Sequence, residues 1–163
     1  MAEADDPGRK YLAAVDPVWQ KLNAYGWRED CLKQFDQQPM GLVYLLAASI
    51  CQAEVHNGGF PQFFSNPTGV LGPEALLGFR ELKITEWADI LSEALKFFGE
   101  PYPRDQMERI QLMDKCTEKI GEEWDPFHGL DQRFYAWSAG DCNRWDRLAD
   151  QYAMEFLKRN SIH

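Results

Sequence analysis

The stretch Glu54-Val55-His56-Asn57-Gly58-Gly59-Phe60-Pro61-Gln62-Phe63-Phe64-Ser65-Asn66 ends an apolar helical run on two glycines. It then sets three phenylalanines within five residues. A helix that stops near Val55 leaves its last carbonyls without intrahelical donors. Asn57 or Gly58 can enter the left-handed region cheaply, and a Schellman-type cap follows. Phe60 can fold back onto the preceding helix as the apolar contact of that cap. Pro61 can open a new helical turn through Gln62, Phe63 and Phe64. Asn66 closes it, because the residue before Pro67 avoids the helical region. The segment therefore predicts one tightly specified helix-to-helix elbow.

Upstream of the elbow, residues 40–55 are apolar almost all round (Val43, Tyr44, Leu45, Leu46, Ala47, Ala48, Ile50, Cys51). A helix with so little polar surface is central in a fold. Tyr11, Leu12, Val15, Val18, Trp19 and Leu22 recur at helical spacing and predict a helix over 9–25 that stops at Gly26. Pro17 lies inside that pattern and is expected to break or kink it. A short helix is expected over 29–37, before Pro39.

Downstream, Pro73 suits the first position of a helix through Leu82. Thr85 is expected to cap the next, which runs to Phe98 and stops at Gly99. Pro101 and Pro103 mark a loop. A helix over 105–120 carries Met107, Ile110, Met113 and Ile120, with Gly121 at its end. Residues 122–129 read as an acidic connection and 130–137 as a short helix. Asp141 is expected to cap a last helix whose stripe is Trp145, Leu148, Ala149, Tyr152, Phe156 and Leu157, with Lys158 and Arg159 at the favourable end of its dipole. No strand pattern and no repeat is present. The expected fold is all-α: a single compact multi-helix domain with short loops, over residues 1–163, with about the first eight residues disordered.

A chain of 163 residues is long enough to bury a core without staples. No apolar run reaches the roughly 18 residues that a bilayer span needs. The acidic start, Met1-Ala2-Glu3-Ala4-Asp5-Asp6, lacks the pattern of a secretory signal, so a cytoplasmic protein is expected. The four cysteines (Cys31, Cys51, Cys116, Cys142) form no C-x-x-C pair and read as free thiols, with Cys51 and Cys116 as small core residues.

Net charge is −9, from 26 acids against 17 bases. A phosphate backbone has to be met by Lys and Arg, so direct binding to nucleic acid is disfavoured, as is binding to an anionic membrane. A basic protein partner is allowed. The surplus lies late in the chain: residues 81–163 carry 17 acids and 11 bases.

Catalytic signatures are missing. His56 could act as a base with Glu54 orienting it, within a group that also includes Asn57 and Gln62. Residues two apart diverge on a helix, however, and no Ser or Cys has motif context. His56, His128 and His163 lack metal-ligand spacing, and no phosphate-binding glycine loop occurs. No enzyme activity, metal or cofactor is expected. The elbow residues Glu54, His56, Asn57, Gly58, Gly59, Phe60, Gln62, Phe63, Phe64 and Asn66 read as a structural motif.

That same motif, Glu54-Val55-His56-Asn57-Gly58-Gly59-Phe60 followed by Gln62-Phe63-Phe64 and Asn66, resembles the signature of a bacterial family of small, acidic, all-helical DNA-mimic proteins. Leu130-Asp131, Phe134-Tyr135, Tyr152 and Asn160 extend the resemblance, which covers about residues 40–160. It implies a protein whose carboxylates stand in for DNA phosphates on a basic transcription factor or histone-like protein, and it allows a homodimer.

Candidate surrogates are Glu86, Asp89 and Glu93, at i, i+3 and i+7 of one helix, and Asp114 and Glu118, at i and i+4 of another. Glu122, Glu123 and Asp125 follow them. Helical neighbours place carboxylates about 5–6 Å apart, comparable to the spacing of phosphates. Lys96, Lys115 and Lys119 are interspersed and dilute the field. The expected function is binding to the DNA-binding face of a basic partner in competition with DNA. The alternative is an immunity protein or antitoxin that neutralises a basic toxin.

Overall fold

The computed structural model describes residues 6–120 and 125–161. Among these residues every regular element is helical, as the sequence predicts. They are α1 Arg9–Asn23, a 3₁₀ helix Glu29–Gln37, α2 Met40–Ser65, a second 3₁₀ helix Pro67–Leu71, α3 Gly72–Glu81, α4 Thr85–Lys96, α5 Gln106–Ile120, α6 His128–Ser138 and α7 Arg144–Asn160. The expectations for residues 1–5 and for Gly121, Glu122 and Glu123 lie outside the described residues.

The first part of α2 is the central element. Leu42, Val43, Leu45, Leu46, Ala47, Ala48, Cys51 and Val55 are all buried, and α1, α3, α5, α6 and α7 all pack on α2. The closest approach is to α3, where Gly78 lies against the backbone of α2. A Cβ at Gly78 would sit 2.2 Å from Tyr44 O, so only glycine fits. α1 packs on α7, and the two are tied at one end. The Asp150 carboxylate of α7 accepts the Gly8 and Tyr11 N–H groups, each at 2.8 Å. A residue distant in sequence thus satisfies the free N–H groups at the start of α1.

Several local expectations are corrected. α1 runs unbroken through Pro17, which faces solvent together with Ala13, so water can take the carbonyl that proline leaves unbonded. Thr85 is the first helical residue of α4 and Ile84 holds the cap position. The Thr85 hydroxyl bonds the Glu86 side chain at 3.3 Å and caps nothing. α4 ends at Lys96, short of Phe98.

On α5 the stripe is rotated. Met107 is 55% exposed, and the inward side carries Arg109, Leu112, Met113 and Cys116, of which Cys116 is only half-buried. Asp141 accepts the Asn143 N–H at 3.2 Å just ahead of α7, but the cap position itself belongs to Asn143. Gly99 does leave α4 in the left-handed region, with φ 79°.

Candidate functional site

The elbow lies within α2. Gly58 has φ −155° and ψ 23°, and Gly59 has φ 74° and ψ 179°. The positive φ therefore belongs to Gly59, not to Asn57 or Gly58. An L residue avoids the Gly59 conformation, whereas Gly58 stays at negative φ. The bend splits α2 into two helical segments whose facing ends need partners.

Other elements supply those partners. The Tyr135 hydroxyl of α6 donates to Val55 O, at the end of the first segment, at 2.9 Å. Asp131 of α6 accepts the Phe60 N–H, at the start of the second, at 2.8 Å. Arg109 of α5 closes the far end. Its Nε donates to Phe64 O at 2.9 Å and its Nη2 to Asn66 O at 3.0 Å, while its Nη1 reaches Arg104 O and Pro103 O at 2.6 and 3.2 Å. Arg109 is fully buried, and Asp131 is 7% exposed. Burial raises the pKa of Asp131, partly offset by the Phe60 N–H, and burial lowers that of Arg109.

The phenylalanines lock the bend. Phe60, Phe63 and Phe64 are fully buried. Phe60 stacks on Phe64 with centroids 5.8 Å apart and meets Phe134 edge-on at 5.5 Å, while Phe64 meets Phe98 at 4.7 Å. Phe134 also stacks on Trp87 at 4.2 Å, and the Trp87 indole N–H donates to Phe134 O at 3.0 Å. Asp131, Phe134 and Tyr135 thus form the docking face of α6 on the elbow, and Leu130 is buried beside them in sequence.

The polar residues of the motif turn to separate tasks. Glu54 accepts from Thr68 Oγ1 at 2.6 Å and Asn66 Nδ2 at 3.1 Å, tying the first segment to the chain beyond the elbow, and burial raises its pKa. Asn57 donates to Gln62 Oε1 at 3.1 Å across the bend. His56 Nδ1 bonds Gln52 O at 2.7 Å and Nε2 lies 3.0 Å from Ser138 Oγ. Glu54 does not orient His56. The Ser138–His56 contact lies at the C-terminal end of α6, which offers carbonyls rather than the N–H groups an oxyanion requires.

The acids occupy two regions. On α4, Glu86, Asp89 and Glu93 are exposed, opposite the buried Trp87, Ala88, Ile90, Leu91 and Ala94. On α5, Asp114 and Glu118 are exposed, as is Asp125, whose carboxylate caps the Phe127 N–H at 2.8 Å. α4 packs mainly on α3 and α6, and α5 on α2 and the second 3₁₀ helix, so the two acidic faces belong to different parts of the bundle.

The charges differ in freedom. Glu93 pairs with Arg133 at 2.9 Å, an exposed bridge. Among the described residues, Glu86, Asp89, Asp114, Glu118 and Asp125 make no ion pair. Glu122 and Glu123 lie outside the described residues. No group of three metal-ligating side chains occurs among the described residues, and none of their helices is long and apolar enough to cross a membrane.

The sequence reading missed Arg109. Its one signal is position, since it falls on the inward side of α5 in register with Leu112, Met113 and Cys116.

Comparison with known protein families gives a match over most of the chain. The sequence model of the DMP19-like protein family covers residues 36–158, and the chain belongs to that family. Neither the curated proteins nor the solved structures gave a match.

Proposed function

We propose that this member of the DMP19-like family is a non-enzymatic DNA mimic, which binds the DNA-binding face of a basic transcription factor or histone-like protein and competes with DNA for it. Family membership supports the reading. The observation that carries it is the set of exposed, unpaired carboxylates Glu86 and Asp89 on α4 and Asp114 and Glu118 on α5, each set on a face opposite packed side chains. Carboxylates one helical turn apart approximate the charge spacing of a phosphate backbone, and their field steers a cationic partner to the surface. The elbow is the scaffold of this reading, since it orders the core that α4 and α5 flank. The net charge of −9 supports repulsion of duplex DNA by the protein itself.

The test is a three-component titration of the DNA-binding partner, its labelled DNA and rising amounts of this protein. Release of DNA as the binary protein complex forms is the expected result. A ternary complex with DNA still bound would overturn mimicry. So would tight binding of duplex DNA by the isolated protein at physiological salt.

A further inference from the structure

The Ser138–His56 contact joins residues 82 apart in sequence, the last residue of α6 and the end of the first segment of α2. His56 Nδ1 lies 2.7 Å from Gln52 O. A carbonyl can only accept, so in the neutral ring Nδ1 carries the hydrogen and Nε2 presents a lone pair. That lone pair faces Ser138 Oγ at 3.0 Å, closer than the hydroxyl's other acceptor, Tyr135 O at 3.5 Å. Trp87 of α4 and Phe134 and Tyr135 of α6 hold the ring in this pose, with centroids 5.5–5.7 Å away. A hydroxyl, a base and a third group that fixes the base are the parts of an activated nucleophile. Among the described residues no other hydroxyl or thiol bonds a histidine.

Both partners can be reached, since His56 is exposed and Ser138 is half-buried. The two helix ends that meet here present carbonyls, which favour the imidazolium formed when His56 takes a proton. The same carbonyls do nothing for an oxyanion, so the site needs an acyl donor with a good leaving group. Arg144 indicates the charge of that donor. Its guanidinium lies 3.9 Å from the Trp137 ring centroid and its Nη1 donates to Trp137 O at 2.9 Å, one residue before Ser138. Asp141 is taken by Arg147, and Asp146 faces Gly8. Among the described residues Arg144 makes no ion pair, and a guanidinium fits the fork of a phosphate.

We propose that Ser138 is a modification site, which takes one acyl group per chain from an acyl phosphate with His56 as its base. Ser138 Oγ attacks the acyl carbon and its proton passes to His56 Nε2. The bond from that carbon to the phosphate oxygen breaks, its electron pair leaves with the phosphate, and the imidazolium returns its proton to water. The step ends at the ester, because no N–H group assists water in cleaving an unactivated acyl bond. Acylation removes the hydrogen that Ser138 gives to His56, at the contact of α6 with the elbow. The inference uses none of the acidic faces and does not rest on the DNA-mimic reading.

The full chain is treated with acetyl phosphate and mapped by peptide mass spectrometry. The expected product is an acetyl ester on Ser138, which hydroxylamine removes while lysine amides remain. Ser138→Ala should lose it. His56→Gln, with an unchanged melting temperature, should slow it about a hundredfold, within the range of general-base assistance. Arg144→Gln should slow transfer from acetyl phosphate about tenfold and leave transfer from the neutral ester p-nitrophenyl acetate unchanged. In the natural protein the rate should level off towards alkaline pH, once the base has lost its proton.

Ser161 is the control, an exposed serine whose hydroxyl bonds only Leu157 O of its own helix. Labelling of Ser138 no faster than that of Ser161 would overturn the proposal. So would equal rates in His56→Gln, or a rate that keeps rising with hydroxide concentration, since either means that no base takes the proton. Equal slowing of both donors in Arg144→Gln would overturn the assignment of the donor to acyl phosphates.

Discussion

Asp131 and Arg109 hold opposite ends of the same short helical segment, residues 60–65 of α2. The carboxylate receives the Phe60 N–H and the guanidinium donates to Phe64 O. Both side chains are buried, and their signs match the positive and negative ends of a helix. A segment of this length cannot stand alone in water, because nucleation costs more than so few hydrogen bonds return. Side chains from α5 and α6 take over the missing bonds. The bend thereby becomes the point through which α2, α5 and α6 are fixed to one another, and with them the surfaces that carry the acids.

Arg109→Met is the direct test of that role. Methionine fills much of the same volume but leaves four carbonyls, those of Phe64, Asn66, Pro103 and Arg104, without their buried donor. A loss of about 3–5 kcal/mol is expected, the range seen when a buried charged network is broken. Urea unfolding measures it. A loss below about 1 kcal/mol would mean that water reaches those carbonyls and that Arg109 does not hold the elbow.

Gly59 and Gly58 should respond differently to alanine. At Gly59 the backbone is one that only glycine enters readily, and a Cβ would lie 2.5 Å from Asp131 Oδ2. The strain and the displaced carboxylate together predict a loss of about 3 kcal/mol or more. At Gly58 φ is negative, and the nearest obstacle is the movable end of Gln62. Gly58→Ala should cost about 1 kcal/mol, mainly the exposed Asn57–Gln62 hydrogen bond. Equal losses in paired denaturant curves would contradict the assignment of the bend to Gly59.

Most of the helical layout was legible, because apolar spacing and the Gly and Pro punctuation act locally. The central helix, the stop at Gly99 and the extended Asn66 before Pro67 all followed from near neighbours. The misses at the elbow and at the start of α1 share a cause: they depend on residues distant in sequence. Asp150 caps α1 from the other end of the chain, and Arg109 and Asp131 reach the elbow from helices that periodicity cannot place beside it. The choice between Gly58 and Gly59 for positive φ is likewise tertiary, since Asp131 fills the space that a Gly59 side chain would need. Of the acidic faces, exposure was legible from helical phase, but the pairing of Glu93 with Arg133 of α6 was not.

Asp131 also predicts a pH effect. Burial, the largest influence, together with nearby Asp125 raises its pKa above the ordinary 3.8, against the opposing Phe60 N–H and His128. A carboxyl that holds its proton more tightly when folded stabilises the fold fully below its unfolded pKa. That contribution is lost as pH rises through the folded value. Asp131→Asn keeps an oxygen for the Phe60 N–H and cannot ionise. Its stability relative to the natural protein should therefore improve from strongly acid pH to neutral pH. Glu54 and Asp146 are shifted the same way but are common to both proteins, so they cancel in the difference. Urea midpoints at a series of pH values test this, and a difference that does not vary with pH would contradict it.

The Glu93–Arg133 pair gives the sharpest test of the α4 face. The two side chains are 55% and 54% exposed, so the bridge contributes at most about 1 kcal/mol to the fold. Arg133→Ala should leave thermal stability nearly unchanged while freeing Glu93 to join Glu86 and Asp89 and making the chain one charge more acidic. If α4 presents phosphate surrogates, association with a basic partner should then quicken at low salt, and the gain should fade as salt screens the encounter. Glu86→Lys with Asp89→Lys should slow association without unfolding α4, because both lie opposite the buried Trp87, Ile90 and Leu91. Stopped-flow association rates across a salt series check both directions. If neither substitution moves the rate while Asp114→Lys with Glu118→Lys does, the DNA-like face lies on α5 alone, and α4 is a solvated surface with no part in recognition.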